Sequence, residues 1–127
     1  MEIVLADREA EIMEVLWDFG PSTVSEVKER VTDELAYTTV LTVLRTLESK
    51  GYVSHDPEGK AHRYSAVVER DAARRSALQA MAEKFFKGST AVLLTHLVAD
   101  EKLKPEEVRR LRALLAQRSK SGRKVKP

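Results

Sequence analysis

From Tyr37 to Thr46 the chain reads Tyr-Thr-Thr-Val-Leu-Thr-Val-Leu-Arg-Thr, which sets hydroxyls and a guanidinium at helical spacing. On a helix, Val40, Val43, Leu44 and Leu47 make one apolar stripe. The opposite face carries Thr38, Thr39, Thr42, Arg45 and Thr46, with Leu41 beside them and no acid before Glu48. Threonine is a mediocre helix former, so helix propensity does not account for four of them here. The chemistry this face offers is recognition of a polyanion. Hydroxyls of Tyr37, Thr38 and Thr39 can donate to phosphate oxygens, and the free amides of a helix amino terminus point a positive dipole at the same backbone. Threonine methyls can meet thymine methyls, and Arg45, two turns in, reaches a base edge or a phosphate. A simply solvated threonine face is the competing explanation; the place of this helix, after a short helix and before a hairpin, favours DNA.

Other chemistries find little support. His55 and His62 flank a turn, and the register of the strands around it decides whether they lie on opposite faces or opposite one another. In either case they lack an evident third ligand and His96 is far along the chain, so no metal site is expected. There is no His-Glu-x-x-His, no glycine-rich phosphate loop and no nucleophile elbow, and the abundant Asp and Glu look like exposed helix charges. With 0 Cys, thiol nucleophiles, thiolate metal sites and disulfides are absent together. The expectation is a protein that is not an enzyme and carries no cofactor.

Several elements must position the threonine face. Ala10, Met13, Leu16 and Trp17 predict a first helix over 7–18, with Asp7 as its N-cap and Gly20-Pro21 ending it. Thr23-Val-Ser-Glu26 has the spacing of a capping box and opens a short helix over 24–31. The threonine helix follows, closed by Gly51. Tyr52-Val-Ser-His-Asp and Lys60-Ala-His-Arg-Tyr-Ser then flank Pro57-Glu58-Gly59 as two short strands around a tight turn. Three helices and a hairpin make a winged helix-turn-helix, whose second helix of the pair enters the major groove. Lys60, His62 and Arg63 on the wing would lie along phosphates.

Beyond residue 70 the pattern is helical again. Ala73, Ala77, Leu78, Met81 and Phe85 mark a helix ending at Gly88-Ser89. A second covers 90–100 through Val92, Leu93, Leu94, Leu97 and Val98. A third opens on Pro105 and covers 105–117 through Val108, Leu111, Leu114 and Leu115. About 50 residues bury too little area alone to offset chain entropy comfortably. Pairing two such sets as a homodimer is one solution, and packing on the winged module of the same chain is the other. The fold expected is mainly α: a winged helix-turn-helix domain over 1–68, a three-helix dimerisation domain over 69–117 and a basic disordered tail over 118–127.

Composition agrees with this scale. The 127 residues, 14.3 kDa, allow one ordinary domain or a module with an appendage. Apolar types at 43% and charged types at 33% can bury a core and keep the chain in solution, whereas 6% aromatics and 5 Gly favour helices over a sandwich. The net charge of +2 hides an uneven distribution: −6 over residues 1–65, +3 over 66–116 and +5 over 117–127. The acidic front would oppose DNA unless Glu9, Glu11, Glu14, Glu26 and Glu29 face away from the duplex. The longest apolar stretch, 91–99, cannot span a bilayer, and the first residues lack the pattern of a secretory signal. No membrane insertion and a cytoplasmic location are expected.

Four segments together resemble the penicillinase repressor family, the BlaI/MecI/CopY regulators. They are Glu11-Ile-Met-Glu-Val-Leu-Trp17, Leu35-Ala-Tyr-Thr-Thr-Val-Leu-Thr-Val-Leu-Arg-Thr-Leu47, Lys50-Gly-Tyr-Val53 and His62-Arg-Tyr64. The resemblance spans about residues 5–116 and implies a homodimeric repressor on palindromic operators. It implies that Thr38, Thr39, Thr42 and Arg45 face the groove, that Tyr37 and Arg63 support or touch phosphates, and that the last three helices join protomers. Antibiotic-responsive members are released when a membrane sensor triggers cleavage at an Asn-Phe bond in the second dimerisation helix; Leu94-Thr-His-Leu97 stands here without that dipeptide. Copper-responsive members use carboxy-terminal cysteines, which this chain lacks. A protein-interaction adaptor on a winged-helix scaffold is the alternative function.

Overall fold

The computed structural model describes residues 2–100 and 102–125. The elements are α1 (Asp7–Phe19), β1 (Ser22–Thr23), α2 (Val24–Arg30), α3 (Tyr37–Ser49), β2 (Val53–Glu58), β3 (Ala61–Ala66), α4 (Arg70–Phe85), α5 (Thr90–Asp100) and α6 (Pro105–Val125). The chain forms two compact units, 1–81 and 82–127.

In the first unit, α1, α2 and α3 pack with a three-stranded antiparallel sheet of order β1-β3-β2. Ile12, Met13 and Leu16 of α1, Val24 and Val27 of α2, Val40, Leu44 and Leu47 of α3, and Tyr52, Val53 and Tyr64 of the sheet region form one core. Each helix contributes the apolar face that its spacing predicts. The capping box of α2 is present: the Thr23 amide donates to Glu26 Oε1 at 2.8 Å and the Glu26 amide to Thr23 Oγ1 at 3.2 Å. At α1 the cap differs from expectation. Asp7 is already helical and Ala6 precedes it, its amide donating to Glu9 Oε1 at 2.8 Å. Glu9 from within the first turn does the work assigned to Asp7.

Strand β1 was not expected; two residues, Ser22↔Tyr64 and Thr23↔Arg63, are too short for a periodicity signal. The hairpin also differs. β2 continues through Pro57 and Glu58, leaving Gly59 and Lys60 as a two-residue turn, with Gly59 at φ +61°. Proline is tolerated because β2 is an edge strand and needs no inward amide there. Residues 2–5 lie against this unit: Ile3 is buried in the core, its amide donates to Ser76 Oγ at 3.0 Å, and the Val4 amide donates to the Tyr52 hydroxyl at 3.0 Å. The first three turns of α4 belong to this unit as well, through the buried Ala73. The compact unit therefore reaches 81, past the boundary expected at 68.

The second unit holds the end of α4, α5 and α6. Lys87 at φ 51° and Gly88 at φ 82° turn the chain out of α4, and the Val92 amide donates to Ser89 Oγ at 3.1 Å to start α5. α6 continues past residue 117 to Val125, so the backbone of 118–125, expected as a disordered tail, is helical. Pro105 and two acids start that helix, and no proline or β-branched run interrupts it before Val125. Residues 126 and 127 of the expected tail lie outside the described residues.

Candidate nucleic-acid interface

The threonine face of α3 is open. Val40, Leu44 and Leu47 are fully buried while Tyr37, Thr38, Thr39, Thr42, Arg45 and Thr46 are all exposed. The helical repeat alone produces this division, since the three core positions fall on one side and the polar ones on the other. No side chain caps the amino end of α3, where Ala36 is the N-cap; the Thr39 amide donates to the Ala36 carbonyl at 3.1 Å, and the Tyr37 and Thr38 amides and the dipole remain available to an anion.

The hydroxyls are not equivalent. Thr42 Oγ1 donates to the Thr38 carbonyl at 2.8 Å and Thr46 Oγ1 donates to the Thr42 carbonyl at 3.0 Å. Such back-bonding satisfies the hydroxyl proton within the helix and leaves lone pairs and a methyl to the outside. Thr38 and Thr39 make no such bond, so their hydroxyls keep both donor and acceptor capacity. Among the described residues no carboxylate forms an ion pair with Arg45.

The acids of the amino-terminal half are largely held in internal contacts. Glu48, the one acid of α3, meets His55 Nδ1 through both oxygens, at 2.6 and 2.8 Å. Glu11 and Asp33 pair with Arg8, Glu14 with Arg70, and Glu26 with Arg63. The Thr23 amide, followed by the nearby Arg63 charge, holds the Glu26 carboxyl below the usual range. Glu9 is buried and accepts from Lys50 Nζ at 2.8 Å as well as from the Ala6 amide. Burial pushes its pKa up, but the Lys50 and Ala6 hydrogen bonds outweigh it and the net direction is down. This pair joins α1 to the carboxy-terminal end of α3, and the sequence reading missed it because its members are 41 positions apart.

On the wing, register puts His55, Pro57, His62 and Tyr64 on one face. His55 is opposite Tyr64 and His62 opposite Pro57, so the histidines are diagonal neighbours on the same side, which is neither of the two arrangements considered from sequence. The difference follows from the two-residue turn. Their rings stack at 4.3 Å and 17°, above the buried Tyr64. Among the described residues no three His, Cys, Asp or Glu side chains gather as a metal site. Lys60 in the turn and His62 on β3 are exposed.

Arg63 departs from its expected place along the phosphates. Its guanidinium donates to Glu58 Oε2 at 2.8 and 3.2 Å, to Glu26 Oε1 at 3.1 Å and to the Pro21 carbonyl at 2.9 Å. Arg63 faces away from the histidine side because adjacent strand residues alternate, and it braces the wing against β1 and α2.

The expected dimerisation residues fall into two groups. In the first unit Leu78 and Met81 are about half exposed. In the second, Phe85, Val92, Leu94, Leu97, Val98, Leu114 and Leu115 are exposed, from 38% at Leu94 to 68% at Phe85. Val108 and Leu111 are half-buried, and Leu93, unlike the rest of the expected set, is buried. No described helix is long and apolar enough to cross a membrane.

A three-helix unit with an antiparallel wing and an exposed α3 face free of acids defines a winged-helix transcriptional repressor, and comparison with known proteins agrees. The penicillinase repressor family model matches residues 5–117, and the chain belongs to that family. It is 37% identical over 117 residues to the transcriptional regulator BlaI of Mycobacterium tuberculosis, covering 89% of this chain and 83% of that one. It is 22% identical over 113 residues to the penicillinase repressor of Bacillus licheniformis, covering 87% and 88%. A MarR family protein from Bacillus stearothermophilus shares the fold, with a TM-score of 0.50 and 17% identity over 94% of this chain and 76% of that one.

Proposed function

We propose that this protein represses transcription as a homodimer bound to a palindromic operator, each protomer laying α3 in the major groove. The observation that carries this reading is the exposed face of Thr38, Thr39, Thr42, Arg45 and Thr46, whose nearest acid in the helix, Glu48, is held by His55. Tyr37, Thr38 and Thr39 meet phosphate and base edges at the amino end of the helix, and Arg45 reaches further along the groove. Lys60 and His62 run beside the backbone on the wing, while Arg63 supports the wing from within. The repressor, by occupying the operator, excludes polymerase from the promoter.

The dimer rests on the exposed side chains of α4, α5 and α6. A surface with Phe85, Val92, Leu97, Val98, Leu114 and Leu115 in water is apolar beyond the scattered residues a monomer normally exposes. Burying each such side chain contributes about 1.5–3 kcal/mol, enough in sum to offset the entropy of association.

Selection of bound sequences from a random duplex pool tests the DNA reading. A palindromic consensus with half-sites about one helical turn apart, or a multiple of it, is the expected result; a pool without enrichment refutes it. Analytical ultracentrifugation of the full chain at tens of micromolar tests the assembly, and a single monomeric species defeats it.

A further inference from the structure

The structure assigns Arg70 as the positioning residue that sets the direction of α4 against α1, and through it the spacing between half-sites that the repressor accepts. This rests on the dimeric reading above. Arg70 is the first residue of α4. Its Nη2 donates to Glu14 Oε2 at 2.9 Å and also to Asp18 Oδ1, two acids one turn apart on α1. Its guanidinium lies 5.6 Å from the ring centroid of Trp17, which sits between those acids in sequence. The indole in turn donates from Nε1 to the Val68 carbonyl at 2.9 Å, two residues before α4 begins. Four side chains thus clasp one point of the chain, the step from β3 into α4.

Further contacts keep α4 from swinging about that point. Ala73, one turn on, is buried in the core, and Ser76 accepts the Ile3 amide at 3.0 Å. The Val67 amide donates to the Tyr52 carbonyl at 2.8 Å, which ties the connecting segment to the base of the wing. A guanidinium suits the corner because its Nη2 reaches both carboxylates while its flat face lies toward the indole, a planar contact that a lysine ammonium lacks. Within the same unit α4 carries the apolar Leu78 and Met81, each about half exposed. Its direction at Arg70 therefore propagates to where a second copy would dock. In a rigid dimer that direction fixes the separation of the two α3 helices, and each base pair added between half-sites shifts them by about 3.4 Å and a tenth of a turn.

The test compares wild type with Arg70→Met and with the pair Glu14→Gln and Asp18→Asn, all as full chains. The probes are the duplex recovered by selection, its single half-site, and versions with the spacer changed by one base pair in either direction. Wild type should lose about tenfold or more in affinity on the altered spacers, and both variants should lose about threefold or less. Single half-site affinity should stay within about twofold of wild type, as a merely structural role would not allow. Should Arg70→Met fail to fold by circular dichroism, the double variant at two surface acids carries the test. Spacing profiles identical to wild type, or half-site and full-site affinity falling in parallel, overturn the assignment. A wild type that is dimeric but indifferent to spacing also overturns it and leaves the dimer standing; a monomeric wild type removes both.

Discussion

Replacing Thr39 by valine exchanges a hydroxyl for a methyl of similar size and leaves helix propensity nearly unchanged. The same exchange at Thr42 is chemically identical, yet the structure separates the two. The Thr42 proton is already bonded to the Thr38 carbonyl at 2.8 Å, whereas the Thr39 hydroxyl is exposed and unengaged. If Thr39 donates to a phosphate or base edge, its loss costs about 1–3 kcal/mol, or roughly 5- to 150-fold in Kd. Thr42→Val keeps the outward methyl and removes a hydroxyl whose proton is spent on the Thr38 carbonyl and whose lone pairs a phosphate oxygen cannot use, so it should cost about 0.5 kcal/mol or less, under roughly threefold. Fluorescence anisotropy on the selected duplex, at fixed salt, reads both. Thr39→Ser, which restores the hydroxyl without the methyl, should recover most of the loss if a hydrogen bond is responsible. An equal loss at both positions, or a larger one at Thr42, would refute the division between free and back-bonded hydroxyls.

The remaining expectations concern charge, assembly and stability. Arg45→Ala should lower the slope of log K against log salt by about 1, and Arg63→Gln should leave that slope unchanged while lowering the unfolding midpoint, because Arg63 is held by Glu58 and Glu26. A salt titration that shows the reverse sinks the proposed roles. Lys50→Met should destabilise by about 1–3 kcal/mol in urea unfolding and Glu9→Gln by less, since the first strands a buried carboxylate and the second frees a lysine that water already reaches. Because the folded pKa of Glu9 is depressed, its stabilisation is present in full above the ordinary glutamate pKa and is lost as pH falls through the lower folded value. Glu9→Gln should therefore lack that part of the acid transition, and matching acid profiles would contradict it. Leu97→Glu, at an exposed position of α5, should leave helicity intact, shift the sedimenting species to monomer and cost at least about tenfold in operator affinity. A dimer unaffected by this charge would place the interface elsewhere.

The recognition helix was legible in the sequence because a helix turns its residues by a constant angle. Val40, Leu44 and Leu47 had to share a side, and the threonines had to take the other. The capping box at Thr23 and Glu26 and the start of α6 at Pro105 are equally local, decided within one turn of chain. Local reasoning failed where a short segment depended on distant partners. Strand β1 exists only because β3 lies beside it, and the hairpin register waited on a two-residue turn that moved His55 and His62 onto one face. Arg63 looked like a phosphate ligand until tertiary structure brought Glu26 from 37 positions away. The same holds for Arg70 and Asp18, 52 positions apart, and for Lys50 and Glu9. Side-chain type and periodicity decide which face of an element can meet water, but which charges remain free on that face depends on contacts made only when the chain folds back on itself.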